Sequence, residues 1–200
     1  MQPRVDDGGS RHLTPTCSRR VDEVDEFGCC VYNSGVTEAW LRGPVYGVDP
    51  LVMPAVHALM QASDEITRAA PGLTPSQLWA TPGGAGSVGF HLRHIAGSID
   101  RLLAYAHGQA LTPQQFATLR EEAIPGDPPA EAAPLVDEVR SAIKRAIAEI
   151  KATPVATLPE PRTVGRAALP TTLFGLLFHI GEHTERHAGQ IITLSKVVRG

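Results

Sequence analysis

The sequence predicts an all-α fold, specifically a four-helix bundle. Four segments carry apolar residues at helical spacing; in one of them, Val88, Leu92, Ile95, Ile99 and Leu102 repeat at intervals of 4, 3, 4 and 3. Proline and glycine separate these segments, and no stretch alternates with a period of two, so we expect no strands. A chain of 200 residues with 42% hydrophobic content is large enough for one domain with a core.

The first two predicted helices have clear start and stop signals. The first follows Asp49-Pro50, which can serve as N-cap and first helical residue, and ends at Pro71-Gly72. Pro54 can delay its start by one turn. The second begins after Ser87, whose hydroxyl can cap it, and ends at Gly108.

Two irregular segments separate the remaining helices. The first, about 109–130, is proline-rich, and a short helix can follow its Thr112-Pro113. A connection of this length can carry the chain back along the bundle, so the helices on either side need not be antiparallel. The third predicted helix covers about 131–151, and Thr171 or Thr172 opens the longest helix, which runs through Val198. The helices of the bundle domain therefore fall within residues 37–200.

Residues 1–36 differ from the rest of the chain. They mix charge, glycine, proline and threonine without an apolar period, so we predict a disordered N-terminal extension. Cys17, Cys29 and Cys30, the only cysteines, lie here with His12, and their spacing matches no zinc template. We expect reduced thiols and a cytoplasmic location.

Composition argues against several classes of partner. A formal net charge of −3 gives no general attraction for nucleic acid or an anionic membrane. No run of about 18 apolar residues is present, and the N-terminus lacks the apolar stretch of a signal peptide. We therefore expect a small-molecule substrate and neither a nucleic-acid nor a membrane partner.

Histidines follow one face of each of two predicted helices. His179, His183 and His187 are four residues apart on the last helix, and His91 and His94 are three apart on the second. A lone histidine on an apolar face is usually a core residue with one hydrogen bond. Five histidines in two stripes favour a metal site, because one ion satisfies several imidazoles that would otherwise be costly to bury.

Other metal motifs fit the sequence less well. "HIGEH" matches the inverted zinc-protease pattern with Glu182 as base, but the required acidic ligand well downstream is missing. A carboxylate di-iron site needs several inward acids, and these helices place histidine there instead. Glu182 and Arg186, four residues apart, are more simply an exposed ion pair.

The segments "GFHLRHIAGSIDRLL" and "LLFHIGEHTERHAGQIITL" resemble the DinB-like superfamily, also called DinB/YfiT-like, over about residues 40–198. The resemblance implies a four-helix bundle in up-down-down-up order that often forms a homodimer. It also implies a divalent ion, zinc or nickel, held by His94, His183 and His187. His91 and His179 then either support the ligands from beside the ion or are alternative ligands themselves. Residues 1–36 have no counterpart in the family.

A site with three histidine ligands keeps a coordination position for chemistry. A water there becomes acidic, and a thiolate can bind as a soft nucleophile, so the catalytic group is either metal-bound water or metal-bound thiolate. Related proteins include transferases and isomerases that use bacillithiol or mycothiol, which implies a low-molecular-weight-thiol-dependent transferase. The alternatives are a metal-dependent hydrolase and a non-catalytic metal-binding protein of stress response or sensing.

Arg101 lies about two turns beyond His94 on the same strip of the second helix. Its guanidinium could bind an anionic group of the substrate. Pairing with an acid, or extension to one end of the bundle, is an equally good interpretation of this arginine.

Overall fold

The computed structural model describes residues 37–200, and this part of the chain is mostly helical. Its helices are α1 (Met53–Ala69), α2 (Pro75–Leu78), α3 (Val88–Ala106), α4 (Pro113–Glu121), α5 (Ala132–Ala152) and α6 (Leu173–Val197). Short 3₁₀ turns occur at Ala39–Leu41, Pro82–Gly84 and Val155–Thr157. The predicted extension at residues 1–36, with its cysteines and His12, lies outside the described residues.

Side-chain caps set the starts of three helices where the sequence predicted them. Ser87 Oγ accepts the Phe90 N–H at 3.0 Å at the start of α3, and Thr112 forms a capping box with Gln115 at the start of α4. Thr172 Oγ1 accepts the Gly175 N–H at 3.0 Å at the start of α6. These caps satisfy backbone donors that the first turn leaves free.

The start of α1 shows the one-turn delay that Pro54 allows. Asp49 Oδ1 accepts the Leu51 N–H at 2.9 Å, so it caps the turn before the helix instead of the helix itself. The helix begins at Met53, with Pro54 in its first turn, where proline lacks only a donor that would have no helical partner.

The prediction that the chain has no strands is wrong. Strands β1 (Pro161–Val164) and β2 (Leu169–Thr172) form an antiparallel hairpin in which Pro161 faces Thr172 and Val164 faces Leu169. Each strand has four residues, two exposed and two partly buried, and neither shows the apolar alternation that identifies a half-buried strand. The hairpin leads directly into α6, whose cap Thr172 is also the last residue of β2.

The four long helices enclose the core. α1 and α3 each pack against both α5 and α6. All four contribute large side chains with no more than about 1% exposure, namely Leu59, Met60, Ile66, Leu92, Ile95, Ile99, Ile143, Ile150, Leu177, Ile180 and Ile191. None of the helices in residues 37–200 combines the length and apolar character needed to cross a membrane.

Candidate metal centre

Packing of α3 against α6 brings His94, His183 and His187 together. One ring nitrogen from each lies within 4.8 Å of the others, and His94 Nε2 is 3.1 Å from His183 Nε2. The ring centroids of His183 and His187 are 4.6 Å apart, as expected for neighbours one helical turn apart. Across residues 37–200 this is the only group of three or more His, Cys, Asp or Glu side chains close enough to share an ion.

The cluster lies at the edge of the core. Thr184 and Ala188 are fully buried, whereas His183 and His187, which precede them, are half-buried. The histidine side of α6 is thus rotated away from the centre of its apolar face. A site at this border is sheltered by protein on one side and keeps a path to solvent on the other.

Burial keeps the imidazoles of His183 and His187 neutral. Desolvation, followed by the charge of His94, lowers the pKa of His183 to about 4. The same two causes, with further contributions from His183, His91 and Arg186, lower the pKa of His187 to about 3. Only a neutral imidazole has a free nitrogen lone pair, so the two side chains are ready to bind a divalent ion near neutral pH.

His91 lies behind His187, away from His183. Its side chain is buried, with 7% exposure, and its Nδ1 is 2.8 Å from His187 Nδ1. Burial first, and the charge of His94 second, lower the pKa of His91 to about 4. If His187 donates its Nδ1–H to His91, its own Nε2 remains free for an ion. The structure thus gives His91 a contact with one histidine of the cluster.

His179 is not the core histidine that its apolar sequence neighbours suggest. Its side chain is 43% exposed, and its Nδ1 lies 2.6 Å from Glu182 Oε1. Its ring centroid is 5.2 Å from that of His183, outside the three-histidine cluster. The aromatic and apolar residues before it, Phe174 and Phe178, are themselves partly exposed, which is why the apolar run does not bury this histidine.

Glu182 forms the predicted ion pair with Arg186. Arg186 Nη2 is 2.8 Å from Glu182 Oε1, and the arginine side chain is 62% exposed. Partial burial alone raises the pKa of Glu182, but the hydrogen bonds with His179 and Arg186 outweigh it and lower that pKa below its usual value. Glu182 therefore carries charge beside the cluster without entering it.

The acid that contacts the cluster, Glu122, was not predicted from sequence. It follows α4, is 2% exposed, and places Oε2 2.7 Å from His94 Nδ1. Its Oε1 accepts a hydrogen bond of 2.7 Å from Arg101 Nη1. The local sequence "LREEAIPG" gives no signal that separates it from the exposed Glu121, since its burial depends on how α4 packs against α3.

Arg101 lies on α3 about two turns beyond His94, as its sequence position predicted, and its side chain contacts an acidic residue. The side chain is buried, with 8% exposure, and ends on Glu122. Pairing with an acid was one of the two structural interpretations of this residue. Its role toward an anionic substrate group stays a prediction.

Phe90 forms one wall beside the cluster. Its ring stacks on His94 with centroids 5.3 Å apart and an angle of 26° between planes, and it meets the edge of His91 at 5.0 Å. A partly exposed aromatic ring here restricts water on one side of His94 and offers an apolar surface to a bound molecule.

Comparison with known families agrees with the geometry. The model of the DinB superfamily matches residues 58–191, a range that contains all three histidines of the cluster as well as Glu122. No curated protein matches the chain.

Proposed function

The chain belongs to the DinB superfamily, and from that membership we propose that it is a divalent-metal-dependent enzyme with His94, His183 and His187 as ligands. The observation that carries the proposal is the convergence of three imidazole nitrogens from two helices within 4.8 Å. The donor set fits zinc or nickel, because neutral imidazole suits these ions and no carboxylate of residues 37–200 joins the three nitrogens.

The reaction that we propose is transfer involving a low-molecular-weight thiol and a small-molecule substrate. Three neutral imidazoles leave the charge of a divalent ion uncompensated, which favours an anionic further ligand such as thiolate or hydroxide. When bound, such an ion lowers the pKa of a thiol or water at its open position. The resemblance to thiol-dependent relatives favours the thiolate.

The surrounding side chains orient the histidine rings and limit the access of water to them. Glu122 and His91 each contact one histidine of the cluster through Nδ1. Phe90 covers one side of His94, and the exposed Arg186 supplies positive charge near His183. This combination would admit a small anionic molecule from the solvent side of α6 while restricting water near α3.

We infer further that the four long helices have the up-down-down-up order. His91 contacts His187 and His94 contacts His183, so sequence numbers rise along α3 as they fall along α6. This pairing supports antiparallel packing of these two helices. A homodimer, which the resemblance also implies, stays a prediction.

The packing of α1 supports the same order. Gly181, in the first half of α6, lies against the backbone of Ala55 near the start of α1. Arg199, just after α6, donates to the carbonyl of Ala69 at the end of α1, with a distance of 2.9 Å. Both ends match, so α1 and α6 run in parallel, as expected for the first and last helices of that order.

The thiol hypothesis is tested with cobalt-substituted protein. We expect a sulfur-to-cobalt charge-transfer band in the near ultraviolet when a small thiol is added, because an open position accepts the thiolate. The His183→Ala variant is the control and should give no such band. A spectrum unchanged at millimolar thiol contradicts the transferase, and a spectrum that responds only to rising pH favours the hydrolase, with hydroxide in the open position.

A further inference from the structure

We propose that Glu122 is the positioning residue of this centre, holding His94 in the tautomer and ring orientation that direct its Nε2 toward His183 and His187. The inference rests on the proposed function, since it assigns a role to a side chain that contacts a proposed ligand. It also assigns a role to the long connection between α3 and α5, because this segment places the carboxylate next to His94.

The contact between Glu122 and His94 fixes the position of one proton. A carboxylate has only acceptor atoms, so the 2.7 Å contact requires that His94 Nδ1 carries the hydrogen and donates it to Oε2. The lone pair of the neutral ring is then on Nε2, the atom that lies 3.1 Å from His183 Nε2. A carboxylate on the far nitrogen also makes the imidazole a stronger ligand.

Arg101 holds the carboxylate in turn. Its Nη1 donates to Oε1 at 2.7 Å, so the two oxygens of Glu122 are divided between Arg101 and His94. Glu122 and Arg101 are 2% and 8% exposed, respectively. A buried carboxylate with two such donors has little freedom to rotate. Loss of Arg101 would leave its charge uncompensated in the interior, and loss of His94 would leave one oxygen without a donor.

The segment around Glu122 lies close to α3. A Cβ at Gly97 would lie 2.5 Å from Glu122 Oε1 and 2.8 Å from Arg101 Nη1, so a larger residue here would force the pair to shift. Arg93, one turn earlier on α3, donates to the backbone carbonyls of Glu121 and Ile124 on either side of Glu122. The carboxylate is thus held from the backbone as well as through its own oxygens.

The test compares two substitutions that remove the same charge at adjacent positions. Glu122→Gln keeps the shape of the side chain, but its amide presents one NH₂ group where two acceptors are needed. We expect about 10- to 100-fold weaker Zn²⁺ binding, measured by competition with a chromophoric chelator. Glu121→Gln, at an exposed side chain, should bind Zn²⁺ like the wild type.

Two further measurements separate positioning from a contribution to folding. In the metal-free protein, ¹⁵N–¹H spectra of the histidine rings should show an Nδ1–H tautomer for His94 that the Glu122→Gln variant loses. In a His94→Ala background, Glu122→Gln should cause no further loss of affinity, because the carboxylate acts through that ring. A structural role predicts a lower Tm in both backgrounds with unchanged Zn²⁺ affinity.

The outcomes distinguish this inference from the proposed function. Wild-type protein that binds Zn²⁺ through His94, together with a Glu122→Gln variant of equal affinity, overturns the inference alone. An equal loss of affinity with and without His94 does the same. Wild-type protein that binds no Zn²⁺ overturns the proposed function and this inference together.

Discussion

At the scale of single residues, the five histidines of α3 and α6 differ in what their second ring nitrogen contacts. His94 and His187 each present Nδ1 to another side chain, Glu122 and His91 respectively. His179 uses Nδ1 on the exposed Glu182. The ring nitrogens of the three proposed ligands therefore lie close to one another, and that of His179 does not join them. His91 contacts the cluster through His187.

These differences predict distinct effects of alanine substitution on metal affinity. Replacing His94, His183 or His187 should each remove most of the affinity for Zn²⁺, because two imidazoles hold an ion far more weakly than three. Replacing His91 or His179 should cost less, about 10- to 100-fold at most. Elemental analysis of untagged protein and chelator competition give the two measurements.

A histidine remote from the cluster supplies the control. His107 pairs with Glu149 across α3 and α5 and is half exposed, so His107→Ala should leave Zn²⁺ affinity unchanged. If His179→Ala empties the site and His187→Ala leaves it full, the ligands are shifted by one turn along α6 and the assignment is wrong.

At the scale of elements, two of the three glycines in α6 have opposite surroundings. A Cβ at Gly181 would lie 2.9 Å from the Ala55 carbonyl oxygen and 3.1 Å from its Cα, both backbone atoms that cannot turn aside. A Cβ at Gly189, in the "HAGQ" segment, would meet nothing within 4 Å. Gly181 therefore sets the distance between α1 and α6, whereas Gly189 only weakens the helix.

Alanine at these two positions should change stability in opposite directions. Gly181→Ala should lower the free energy of unfolding by about 1–3 kcal/mol, because α1 must move away from α6. Gly189→Ala should raise it by about 0.5–1 kcal/mol, since alanine favours an exposed helix interior. Urea unfolding followed by circular dichroism measures both, and a stabilising Gly181→Ala would show that α1 and α6 are not in close backbone contact.

The helices could be predicted because their signals are local. Ser87, Thr112 and Thr172 cap their helices within three residues of sequence, and apolar periodicity marks the buried faces. The three clustered histidines could be predicted for the same reason, given a resemblance that relates α3 to α6. Their contact distances required the packed structure.

Features that depend on packing between distant segments could not be predicted. Glu122 is 28 residues from His94 in sequence, and its burial follows from Gly97 and Arg93 on another helix. The hairpin β1–β2 was missed because its strands are stabilised by pairing with each other and carry few buried side chains. The exposure of His179 likewise depends on how α6 is rotated in the fold.

At the scale of the whole molecule, the free energy of unfolding depends on pH through buried histidines and through Glu185, and the two effects have opposite signs. His91, His183 and His187 have folded pKa values of about 3 to 4, below the ordinary 6.5, so the metal-free protein loses stability as pH falls below about 6.5. Glu185 behaves the other way. Burial, and then the charge of Glu65, raise its pKa from 4.5 to about 7.

The sign for Glu185 follows from proton binding. Between pH 4.5 and about 7 the folded protein holds a proton on this carboxyl that the unfolded chain has released, so its contribution to stability decreases as pH rises through that range. The buried histidines contribute a slope of the opposite sign until the unfolded chain has released their protons, about one pH unit above 6.5, but this contribution is the same in two proteins that differ only at position 185. The difference in stability between the wild type and a variant at position 185 therefore isolates the cost of ionising Glu185 next to Glu65.

Glutamine at position 185 should remove that cost. It keeps the size of the side chain and an oxygen that can accept a hydrogen bond, and it cannot ionise. We expect the Tm of metal-free Glu185→Gln, measured in chelator, to exceed that of the wild type by a margin that grows as pH rises from 4.5 to about 7 and then levels off. Glu138→Gln, at an exposed acid on α5, removes the same formal charge and should show no such growth. A margin that stays constant with pH would mean that Glu185 titrates normally and that the contact between α6 and α1 leaves it in water.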